Sequence, residues 1–168
     1  METKKLSIER TAIVAGLFIS IAMTLYFIIM AAAGFAHVAE LRFLNFVIAG
    51  AGAAAAIKYF NNKTNRHIQY LEGLTLSFVA IAVSSVLFSL FIFFYFSQIN
   101  PGLLNVIRTD APMMGKYLTP FSASVAVIAE GVVAGLVLSF TLMQYFKDDT
   151  LHSPYKQRKP DIAPEKES

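Results

Sequence analysis

The chain has 168 residues, 56% of them hydrophobic and only 15% charged, with a mean hydropathy of +0.57. Set against roughly 45–50% apolar and roughly 25% charged residues in an ordinary soluble domain, that balance excludes a disordered or acidic solvating chain and argues against a water-soluble globule. The absence of cysteine excludes disulfides, thiolate metal centres and thiol nucleophiles, and the net charge of +3 must be read against topology before it is read as a nucleic-acid signal.

Of the 25 Asp, Glu, Lys and Arg residues, 24 avoid four apolar stretches: 11–34, 43–57 (extendable to 60), 73–97 and 119–146. A bilayer core about 30 Å thick needs about 20 apolar residues at about 1.5 Å each. The first stretch follows Lys4, Lys5 and Arg10 and ends in Ala31, Ala32 and Ala33. Its length exceeds the apolar core of a cleavable signal peptide, so it reads as an uncleaved signal anchor. A short connection, 35–42, makes it an antiparallel hairpin with the second stretch. That stretch is short unless Lys58 snorkels into the headgroups. It carries the run Ala49, Gly50, Ala51, Gly52, Ala53, Ala54, Ala55 and Ala56, small on every face, which suggests a helix at the centre of the bundle.

The connection 58–72, with Asn61, Asn62, Asn65, Lys63 and Arg66, reads as a solvated turn. The third stretch contains serines but no polar face of helical period, and its aromatic end from Phe88 to Phe96 reads as lipid-facing bulk. After it, Asn100 is placed to cap a short helix with Pro101 at its first position. Leu103, Leu104 and Ile107 give that helix one apolar face for lying on the outer surface. Pro112 ends it and Pro120 opens the fourth stretch. There Gly131, Gly135 and Ser139 recur every four residues, a helix-packing signal with a homodimer seam as the alternative use. The tail, 148–168, has three prolines and no apolar periodicity, and reads as disordered.

Lys and Arg set the orientation. Four spans put both termini and the second connection on one side, which collects eleven of the fourteen basic residues and leaves three opposite. The ends are therefore expected to be cytoplasmic, and nucleic acid has no separate support as a partner.

One side chain stands out chemically. Glu130 is the single ionisable residue deep within a stretch, and intramembrane acids commonly bind cations or line paths. Depth-matching places Ser84 and Ser85 of the third stretch near it, with Gly50 and Gly52 of the second and Ser20 and Thr24 of the first. The plainer reading is a protonated carboxyl hydrogen-bonded to serine as helix-packing glue. Serine in a membrane helix also readily bonds its own backbone. His37, His67 and His152 fall in three segments, so no metal triad is expected, and no phosphate loop, catalytic triad or paired carboxylates are present.

The Lys58, Tyr59, Phe60 exit into an Asn-rich basic turn, Tyr70 and Gly73 opening the third stretch, Asn100 and Pro101 after it, and the Ser- and Gly-containing fourth stretch carry a resemblance. Over about 43–149 the chain resembles a family of bacterial four-helix inner-membrane proteins catalogued only as domain of unknown function 4199. The resemblance implies topology and a bacterial cytoplasmic membrane, and it transfers no functional residue.

The expected protein is all-α and polytopic. An antiparallel bundle of four transmembrane helices with a short outer interfacial helix occupies 1–147, followed by the tail. Its candidate site is Glu130 with Ser84 and Ser85, and its packing residues are Gly50, Gly52, Gly131 and Gly135. The expected role is non-enzymatic, without cofactor or metal, through helix packing and partner contacts. The partners are the bilayer and a second copy or another membrane protein. The alternative is a small proton- or cation-coupled transporter using Glu130, with a membrane-embedded enzyme third.

Overall fold

The computed structural model describes residues 7–35, 43–64, 68–110 and 115–146. Among them the protein is entirely helical. The helices are α1 (Ile8–Ala32), α2 (Phe43–Thr64), α3 (Tyr70–Phe94), α4 (Pro101–Asp110) and α5 (Pro120–Phe146). A π turn, Tyr95–Ile99, extends α3, and a 3-10 turn, Gly115–Tyr117, precedes α5. Counting that π turn as part of α3, four helices are long and apolar enough to cross a bilayer, the pattern of a multi-pass membrane protein. The tail, Pro112 and the three histidines lie outside the described residues.

Local chemistry sets the helix ends. α1 closes on Gly34 at φ +80°, where a residue without Cβ adopts the left-handed region at no steric cost. The Gly34 N–H donates to the Ala31 carbonyl at 3.2 Å and the Phe35 N–H to that of Met30 at 2.9 Å, so two terminal carbonyls are satisfied. α2 runs one turn beyond residue 60, and Asn61 Oδ1 accepts the Ile68 N–H at 2.9 Å, tying the turn to the start of α3. The Gln69 N–H donates to the Glu72 carboxylate at 3.2 Å, so α3 starts at Tyr70 rather than 73. Asn100 Oδ1 accepts the Leu103 N–H at 3.0 Å, the expected cap of α4. At α5, Thr119 Oγ1 accepts the Ser122 N–H at 3.0 Å while Ser122 Oγ accepts the Thr119 N–H at 2.8 Å, a reciprocal cap ahead of Pro120.

The centre of the bundle is α3, which corrects the expectation for α2. Ten residues of α3 are buried, against six in each of α1, α2 and α5. Two glycines explain the order. Gly16 of α1 seats on Val83, and Gly131 of α5 seats on Ser85. Residues two apart in a helix point about 200° apart, so α1 and α5 flank α3 on opposite sides. Gly52 seats on Ile19 of α1, and a β-carbon at Gly50 would stand 3.4 Å from Leu138 of α5. By the same spacing α2 turns opposite faces to α1 and α5. Its all-small surface serves as a wedge between neighbours rather than as a hub.

The aromatic end of α3 is also corrected. Phe88, Ile92 and Phe96 are buried, and Phe91 and Tyr95 pack partly buried against the core. Their focus is Phe27 of α1, whose ring meets Phe88, Phe91, Tyr95 and Phe96 edge-on at centroid distances of 6.2, 5.8, 5.1 and 6.3 Å. Edge-to-face pairs are favoured by the ring quadrupole, so only outward rings such as Phe94 are left at the surface.

Candidate functional site

Glu130 is the only charged residue of α5 and lies eleven residues into it. Its position follows from the period of that helix. Ser124, Gly131, Gly135 and Ser139 repeat at helical spacing towards α3, and Glu130 falls one residue off that stripe. Ala123 and Ala134, which share its flank, are buried, whereas Ala126, Ala129 and Val133 are exposed. Glu130 is itself partly buried, at the border between the packed flank and the outer surface of the bundle.

Gly131 brings Glu130 to the level of Ser85. A β-carbon at Gly131 would overlap the Ser85 hydroxyl and β-carbon, so the α3 and α5 backbones come close together here. The serines do not assemble around the carboxyl as donors. Ser84 Oγ and Ser85 Oγ both donate to the Ile81 carbonyl at 2.8 Å, and Ser20 Oγ donates to that of Leu17 at 2.8 Å. Each hydroxyl has one proton, and in each case it is spent on the helix's own backbone. Ser20 and Thr24 belong to α1, which packs on the opposite side of α3 from α5. Gly135 is buried against Ile81 and Phe78, so Gly131 and Gly135 both lie on an α3–α5 seam.

Two features carried no sequence signal. Ser89 Oγ donates across the seam to the Ser124 carbonyl at 2.8 Å, whereas the neighbouring α3 serines bond within their own helix. Asn45 Oδ1 in α2 is buried with no hydrogen-bond partner among the described residues. No group of three or more His, Cys, Asp and Glu side chains among the described residues could hold a metal ion.

At the other end of the seam, Arg108 joins α4 to the start of α5. Its Nε donates to the Leu118 carbonyl at 2.7 Å and its Nη1 to Asn105 Oδ1 at 3.0 Å. Gly115 passes so close to the Arg108 backbone that a β-carbon would collide with the carbonyl.

No protein-family model, no curated protein and no solved structure matches the chain. The four bilayer-length helices and the α3–α5 seam therefore set how far the functional reading goes.

Proposed function

We propose that the chain is an integral protein of a bacterial cytoplasmic membrane, with both termini cytoplasmic, that acts through helix packing and partner contacts and not as an enzyme. The bacterial placement comes from the resemblance to the domain of unknown function 4199 family, and the orientation from the eleven-to-three partition of basic residues. The observation that carries the packing role is the seam itself. At the level of Glu130, Gly131 closes on Ser85 and leaves no room for a path between α3 and α5. Partners in this reading are lipid, a second copy or another membrane protein.

One observation favours the transporter reading as the second choice. Glu130 is partly exposed at the outer flank of α5, where a titratable carboxyl could exchange protons or cations. Glu130→Gln separates the two, because the amide keeps shape and hydrogen-bonding capacity but no longer titrates. The paired measurement is the stability of purified Glu130→Gln and the proton- or cation-dependent uptake of a compound panel into vesicles. Parity with wild type in both supports packing. A stable variant that has lost an uptake seen in wild type overturns it.

A further inference from the structure

We infer that Arg108 holds the phosphate of a phospholipid headgroup and so fixes α4 in the headgroup layer. A guanidinium carries five N–H donors in a planar fork that matches phosphate oxygens. In Arg108 two of the five are used, Nε on the Leu118 carbonyl and Nη1 on Asn105 Oδ1. Those bonds fix the plane of the group, and both N–H bonds of Nη2 are left without an acceptor among the described residues. The side chain is only partly buried, so the unused edge can be reached from outside.

The place in the fold says what reaches it. α4 connects the end of one bilayer-length helix to the start of another, through the π turn on one side and the 3-10 turn on the other. That connection must lie where the hydrocarbon core gives way to headgroups. The helix is two-faced. Leu104 is buried and Leu103 and Ile107 pack on the core, while Asn105 and Thr109 are exposed. An amphipathic helix at that depth presents its polar face to phosphates. A preorganised cationic fork there gains a charge-assisted bond without the ordering cost that a free arginine bears.

The shared chemistry is a phosphate monoanion or dianion, and the lipid source is the one proposed. The purified full-length chain in detergent is mixed with phosphatidylglycerol, with diacylglycerol of the same acyl chains, or with inorganic phosphate, and bound molecules are counted by native mass spectrometry. The expected result is retention of phosphatidylglycerol, little retention of diacylglycerol, and no displacement by millimolar phosphate. Arg108→Gln should weaken retention by about tenfold, the scale of one charge-assisted hydrogen bond. Because Arg108→Gln also cuts the tie to Leu118, Thr109→Glu is the second variant. It leaves both guanidinium acceptors in place and adds a negative charge on the exposed face of α4 one residue from Arg108, and it should weaken retention similarly. Equal retention of diacylglycerol, displacement by inorganic phosphate, or Thr109→Glu holding phosphatidylglycerol like wild type would each overturn the proposal.

Discussion

Ser85 and Gly131 occupy a single contact in which the serine side chain fills the space where a β-carbon of residue 131 would stand. The overlap involves both the hydroxyl and the β-carbon of Ser85, and the latter is fixed to the backbone of the central helix. Gly131→Ala is therefore expected to destabilise the bundle by about 1–3 kcal/mol, the usual cost of overpacking. Ser85→Gly in the same chain should recover part of that loss, since it removes both opposing atoms. Unfolding midpoints in mixed micelles for the two single variants and the double variant check this. Additive effects would show that the two residues do not share the contact.

The ring of Phe27 supplies the second prediction. Four aromatic side chains converge on it, and Phe27→Ala should leave a cavity costing about 3–5 kcal/mol. Phe18 lies on the same helix but is 68% exposed, and Phe18→Ala should cost under about 0.5 kcal/mol. Thermal unfolding of the purified variants in one detergent compares them directly.

A third prediction concerns the serines of α3. Ser89 bonds across to α5, whereas Ser77 bonds the Gly73 carbonyl of its own helix at 2.8 Å. Ser89→Ala should cost about 0.6 kcal/mol, the mean for interhelical bonds in membranes. Ser77→Ala should be smaller, because that carbonyl already serves the helix ladder. A Ser77→Ala loss as large as that of Ser89→Ala would contradict the distinction.

Orientation gives the fourth. Asn62 near the end of α2 and Gly102 at the start of α4 are both exposed and lie at opposite ends of the bundle. With cytoplasmic termini, an impermeant thiol reagent applied to intact cells should label Gly102→Cys and spare Asn62→Cys. The reverse pattern would invert the topology.

Much of this architecture was readable from residue order, and the unread parts share a physical cause. Charge avoidance located the four long helices because one charge in hydrocarbon is costly whatever its neighbours are. The Asn100 cap and Pro101 start were readable because capping is a local bond between residues three apart. Which helix is central was not, since Gly50 and Gly52 announce close packing without saying on what. Only the partners, Leu138 and Ile19, show that α2 faces two ways. The aromatic end of α3 was misread because a phenylalanine suits lipid and core equally, and Phe27 lies more than sixty residues earlier. Depth-matching brought Ser85 to the level of Glu130 through Gly131, but it could not say where each serine would spend its proton.

The π turn carries a consequence for chain length. The Asn100 N–H reaches back five residues to the Tyr95 carbonyl at 2.9 Å, so Tyr95–Ile99 holds one residue more than an α-helical turn would. A single-residue deletion there would restore a regular ladder while the shortened turn still completes one revolution, so the residues that follow would keep their direction. A deletion within the regular part of α3, which has no extra residue to give up, would rotate everything downstream by about 100°. Arg108 would then swing away from the Leu118 carbonyl, and α4 would turn its leucines from the bundle. Loss of one residue among descendants of this sequence should therefore be tolerated between Tyr95 and Ile99 and rare within Tyr70–Phe94.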